Sequence, residues 1–72
     1  MYTHTTQRQV RAAFWNSHPN LRRKLVPVRP GFYRLATHNE HPADIRAAFV
    51  DFVDYLHRSG AISDALADRV TL

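Results

Sequence analysis

Apolar residues fall into a helical rhythm most clearly between residues 42 and 59. There Ile45, Ala48, Phe49, Phe52, Val53 and Leu56 recur at i, i+3, i+4, i+7, i+8 and i+11. That spacing lays one apolar face along three helical turns. The pattern predicts a helix from Pro42 to Ser59: proline suits a first turn, Asp44 complements the dipole, and Gly60 ends it. Asp54 and Arg58 form a favourable i, i+4 pair on the polar side.

A shorter stripe, Val10, Ala13 and Phe14, predicts a first helix from Gln7 to Ser17. Thr6 is its N-cap, and Gln9 three residues later completes a capping box. His18-Pro19 ends it, because the residue before proline is pushed out of the α region. A third helix, Asp64 to Val70, follows the N-cap Ser63, with Leu66 and Val70 turned inward. Only Gly60 to Ser63 separates it from the second, so these two close as a helical corner.

Between Leu21 and Thr37 the pattern is weaker. Pro30-Gly31 is a turn signal, and a hairpin centred on it sets Val28 against Tyr33 and Val26 against Leu35. That register places Val26, Val28, Tyr33 and Leu35 on one face and Arg29, Phe32 and Arg34 on the other. However, Pro-Gly favours a type II turn, which matches strand twist poorly, and Pro27 confines any strand to an edge. The first reading is therefore an extended, ordered basic loop, with a small hairpin as the second. The expected fold is mainly α: one compact three-helix domain over residues 1–72, its core Val10, Phe14, Leu21, Ile45, Phe49, Phe52, Val53, Leu56, Ile62, Leu66 and Val70.

Length and composition narrow the classes. A chain of 72 residues without cysteine has no disulfide framework, no thiolate metal site and no cysteine nucleophile. Its hydrophobic fraction of 44% is too high for a disordered chain. No run approaches a membrane span, and the N-terminus lacks the apolar core of a signal peptide. The net charge of +4 is unevenly spread. Residues 1–34 carry Arg8, Arg11, Arg22, Arg23, Lys24, Arg29 and Arg34 and no acid, whereas all the Asp and Glu lie beyond. Such a split means either a basic surface for an anionic partner or two halves that attract each other. An acid-free, Arg-rich N-terminus also fits a transit peptide, but Pro19, Pro27, Pro30 and the aromatic content argue against it.

The most pointed constellation is Arg22, Arg23, Lys24, Arg29 and Arg34, interleaved with Phe32 and Tyr33 and flanked by Trp15. Cations neutralise phosphates and exposed aromatic faces stack on unpaired bases, so nucleic acid is one candidate partner. Set against it, a small domain needs its aromatics for the core, and a basic face is commonly solvated or paired internally. A helix-turn-helix is disfavoured, since Asp64 and Asp68 would face phosphate at the end that should read bases. His38, His41 and Asp44 are metal-ligand types, but their spacing puts them on no common face, and surface or capping histidines are expected. Asp51 and Asp54 share a solvated helix face, where no burial raises a pKa for acid–base work. Pro27-Val28-Arg29-Pro30 has the P-x-x-P form, in a place where a stiff connection is the ordinary explanation. With no nucleophile arrangement and no glycine-rich phosphate loop, the chain is not expected to be an enzyme or to carry a cofactor or metal.

The segments Asp44-Ile45-Arg46-Ala47-Ala48-Phe49-Val50-Asp51-Phe52-Val53-Asp54 and Gly60 to Leu72, with Gln9 to Trp15 and His18-Pro19, resemble small proteins of bacterial plasmids and phages. The resemblance spans most of the chain and is least in Leu25 to His38. It implies a mobile-element setting in the bacterial cytoplasm, where small accessory proteins often bind and inhibit a host defence or regulatory complex; it implies no activity. The leading expectation is thus a non-enzymatic protein-binding module that uses Trp15, Tyr33, Tyr55 and arginines as anchors. A nucleic-acid binder working through residues 22–34 is the alternative. A homodimer that buries leftover apolar surface is also open.

Overall fold

The computed structural model describes residues 2–72. Helix α1 spans Gln7–Ser17, strands β1 and β2 span Leu25–Arg29 and Phe32–Leu35, and a short 3-10 turn covers His38–Glu40. Helices α2, Ala43–Arg58, and α3, Asp64–Arg69, complete the chain. The fold is a small α/β arrangement rather than purely three-helix, with an antiparallel hairpin inserted between α1 and α2.

α1 begins where the sequence predicts. The Thr6 hydroxyl accepts from the Gln9 backbone N–H at 3.2 Å, and the Gln9 amide oxygen accepts from the Thr6 N–H at 3.2 Å. These reciprocal bonds satisfy donors that a helix start otherwise leaves free. α2 begins one residue later than expected. Pro42 stands at the N-cap, its ψ of 154° still extended, and its carbonyl accepts from the Arg46 N–H at 3.1 Å. The helix ends in a Schellman motif: the Ala61 N–H donates to the Leu56 carbonyl at 2.9 Å, and the Gly60 N–H to His57 at 3.1 Å. Gly60 supplies the φ of +81° that this closure needs.

α3 stops one residue short of the expected Val70, whose backbone turns extended while its side chain stays buried. Its cap is Ser63, which accepts from the Leu66 N–H at 3.2 Å. The His57 ring also meets the Asp64 carboxylate at 2.5 Å, joining the end of α2 to the start of α3. The N-terminal arm is pinned to the same corner, with Thr3 and His4 N–H groups donating to the Ala61 carbonyl.

Val10, Phe14, Ile45, Phe49, Val53, Leu56, Ile62, Leu66 and Val70 form the buried cluster. Phe14 sits at its centre, with the rings of Phe49 and Phe52 edge-on at 5.2 and 5.7 Å. Two residues expected in the core, Leu21 and Phe52, are only partly buried and pack against its margin. Three short helices cannot enclose the full width of the α2 stripe, and Phe52 lies at its edge.

The hairpin corrects the expected extended loop and the register weighed for it. Leu25 pairs with Leu35, Val26 with Arg34, Pro27 with Tyr33 and Arg29 with Phe32, with the register shifting around Val28. Relative to the sequence-based register the strands slip by one residue, so Leu25 and Pro27 share a face with Tyr33 and Leu35, and Val26 moves to the other. Gly31 takes φ +81°, the value a type II turn requires after proline. The irregularity at Val28 supplies added twist that this turn lacks. Pro27 fits because its opposition to Tyr33 is not hydrogen-bonded. The Ala36 N–H donates to the Lys24 carbonyl at 2.9 Å, so by antiparallel alternation the bonded pairs are Lys24–Ala36 and Val26–Arg34.

Candidate functional site

The sequence-predicted binding residues separate into two places. Arg29, Phe32, Tyr33 and Arg34 lie on the hairpin, which stands off the helical body. Every strand residue is exposed except Val26, which is half-buried. The exposed side includes Leu25, Tyr33 and Leu35, with Tyr33 at 64% exposure.

The hairpin cations are largely engaged within the chain. The Arg34 guanidinium holds the Glu40 carboxylate in two parallel bonds of 2.8 Å. Glu40 also accepts from the Thr37 backbone N–H at 2.9 Å and its hydroxyl at 3.0 Å. These partners, Arg34 first, pull the Glu40 carboxyl down to about 2. The Arg29 guanidinium lies over the Phe32 ring, 4.2 Å from its centroid, occupying one stacking face.

Trp15, Arg23 and Lys24 belong to the second place, a cleft of about 400 Å³ between α1 and the foot of the hairpin. Trp15 is not the exposed anchor the sequence suggested. It is half-buried, with Phe14 edge-on at 5.0 Å and Arg23 over its ring at 5.7 Å. Arg8 and Arg11 complete the cationic lining, while Leu35 and Leu72 add apolar surface. Arg11 is oriented by Gln7 at 2.9 Å and by the Thr71 carbonyl, and Lys24 by the Glu40 carbonyl at 3.2 Å. None of these partners carries a compensating charge on the atom it presents. Among the described residues, the three ion pairs are Arg34–Glu40, His57–Asp64 and Arg58–Asp54, and none involves a cleft cation.

His41 stands at a cap as expected, ending the 3-10 turn with its N–H on the His38 carbonyl at 3.3 Å, but it corrects the expectation of a surface histidine. It is only 5% exposed, lies 5.6 Å from the Trp15 ring and lines the cleft. Burial pushes its pKa down and favours a neutral ring, against the opposing pull of the Ala36 carbonyl. Its Nδ1 is buried without a hydrogen-bond partner among the described residues. His38 is held separately, its Nδ1 accepting from the Leu72 N–H at 3.3 Å. Among the described residues no group of three His, Asp or Glu side chains gathers as a metal site.

Sequence reasoning missed Arg8, Arg11 and His41. A signal for the first two existed, since Arg8, Arg11, Ala12 and Trp15 fall at i, i+3, i+4 and i+7, one stripe of α1 beside its buried face. Arg22 is exposed next to the cleft without lining it, and Tyr55 is exposed on α2, outside both places. No helix is long and apolar enough to cross a membrane among the described residues. Comparison with known proteins finds no matching family model, no matching curated protein and no matching solved structure.

Proposed function

We propose that the chain is a non-enzymatic protein-binding module that docks through its hairpin, in the manner of a small accessory factor or inhibitor. One observation carries the reading: an exposed apolar face lies beside an open strand edge. By the alternation above, the N–H groups of Tyr33 and Leu35 turn outward from β2, and β2 contains no proline. β1 is the poorer edge, because Pro27 has no N–H to offer. An extended segment of a partner can add to β2 by main-chain hydrogen bonds and cover Tyr33 and Leu35 with its own apolar side chains. A two-stranded hairpin is marginal in water by itself, so a third strand stabilises what the helical body leaves unsupported.

The test is a photoreactive residue in place of Leu35, on the apolar face of β2 beside Tyr33, followed by binding of the purified cross-linked protein. Tyr33→Glu should weaken that binding by about 2 kcal/mol, the scale of an aromatic anchor. Equal affinity of Tyr33→Glu and the parent rejects the hairpin as the docking element. A cross-link to a second copy of the chain assigns the face to a homodimer instead.

A second reading, nucleic-acid binding through residues 22–34, is supported by Arg22, Arg23 and Lys24, which have no carboxylate partner among the described residues. It is weakened by the engagement of Arg34 and Arg29. The measurement that decides it is fluorescence anisotropy with DNA and RNA across about 50–300 mM salt, where phosphate contacts give a steep log–log slope.

A further inference from the structure

We infer that the cleft between α1 and the hairpin foot is a binding site for a phosphate ester, held by Arg8, Arg11, Arg23 and Lys24 with its organic part beside Trp15. Four cations line it, and among the described residues no carboxylate, the terminal group of Leu72 included, comes within ion-pair distance of any of them. An unoccupied cluster of this kind repels itself, and a bound anion removes that repulsion. A phosphate suits the set better than a single carboxylate, because its dianion offers more acceptor oxygens and its geometry matches the fork of arginine.

The second observation is independent of charge. His41 is 5% exposed, lines the same cleft, and leaves its Nδ1 without a partner among the described residues. Buried polar atoms in folded proteins are almost always hydrogen-bonded, and an orphan is costly. Nδ1 is closed to solvent, so a ligand oxygen satisfies it only when the ring or its cover shifts as the cleft fills, a change the His41 resonances report. The cleft volume of about 400 Å³ falls within the range of small-ligand sites. Trp15, Leu35 and Leu72 supply apolar contact for the remainder of such a molecule. The ester can come from a free nucleotide or from the end of a nucleic acid strand; both present the same group.

Trp15 is the single tryptophan of the chain, so its fluorescence reports on the cleft. The probes are inorganic phosphate, adenosine monophosphate and a short 5′-phosphorylated single strand, titrated at about 100 mM salt so that loose counterion effects are screened. The same titrations followed by the ¹⁵N resonances of His41 give a readout independent of Arg23, which touches the tryptophan. Saturable binding of a phosphate probe with a shift at His41 is expected. The double variant Arg8→Gln, Arg23→Gln should weaken it about tenfold or more while keeping a cooperative melt, since these side chains make no hydrogen bond among the described residues and Arg23 gives up only its contact with the Trp15 ring. Arg58→Gln, on α2 and outside the cleft, should leave it unaltered. Tighter binding of the strand than of the mononucleotide assigns the ester to nucleic acid, and equal binding assigns it to free nucleotide. No saturable response to any probe up to about 10 mM, or equal binding by the double variant, overturns the site.

Discussion

Arg34 and Glu40 are joined by two parallel hydrogen bonds of 2.8 Å that tie the second hairpin strand to the turn preceding α2. Arg34 comes from the acid-free half of the sequence and Glu40 is the first acid after it. The charge asymmetry along the chain is thus partly an internal attraction, and this pair removes one cation from the surface that a phosphate backbone would meet. The rest of the asymmetry persists in three dimensions, because the cleft cations have no such partner among the described residues.

The pair has a pH signature. Glu40 titrates near 2 in the folded chain and at about 4.3 when unfolded, so between those values the unfolded state binds more protons. The stability it contributes is present above the unfolded value and is lost as pH falls through about 2. Thermal melts from pH 6 down to about 2 should show Glu40→Gln with a shallower acid decline than the parent. Its solvent exposure keeps the effect modest, and parallel declines in the two proteins reject the pairing.

Core position decides the next outcome. Phe49 is 1% exposed and packs edge-on against Phe14, so Phe49→Ala should cost about 3–5 kcal/mol, a large share of the stability of so small a domain. Phe52 carries the same side chain at the margin of the cluster, and its truncation should cost roughly half as much. Denaturant midpoints measure both. Equal losses would place Phe52 in the enclosed core, against the fold described here.

The helices were legible because each is specified locally. Thr6 with Gln9, Ser63 and Gly60 mark their ends chemically, and the Ile45-to-Leu56 stripe has one reading as a helix face. Phe52 is expected deeper than it lies, because periodicity reports the direction of a side chain and not how much protein lies over it. The hairpin register is hidden in the sequence for a different reason. Its pairing follows from the shift at Val28, and a shift of one residue reverses every side-chain face without changing the alternation of the sequence. His41 lies beyond reach, since its burial depends on Trp15, which is remote in sequence. The cleft was half visible: its α1 stripe sits in the sequence at helical spacing, but the union of that stripe with Arg23 and Lys24 is tertiary.

Gly60 offers a test of backbone conformation free of packing. Its φ is +81°, and a Cβ built there meets nothing within 4 Å. Gly60→Ala should therefore cost about 1 kcal/mol from left-handed strain alone. The D-alanine version, made by synthesis of the 72-residue chain, should melt at or above the parent, because the mirror residue prefers this φ. A D-alanine variant as unstable as the L form would mean that contact, not conformation, keeps glycine at this helix end.

Amide exchange tests the hairpin on which the proposed docking depends. In the observed register the N–H groups of Arg34 and Ala36 point across to β1, and those of Tyr33 and Leu35 point away from it. The first two should exchange more slowly than the second two, giving an alternation along β2. All four should exchange faster than Phe49 or Val53 in α2, because the strands have little buried surface and open locally before the helical core does. An extended loop gives uniformly fast exchange over residues 32–36, and a register displaced by one residue moves protection onto Tyr33 and Leu35. When a partner strand adds to β2, it is the Tyr33 and Leu35 amides that should become protected, while Arg34 changes little.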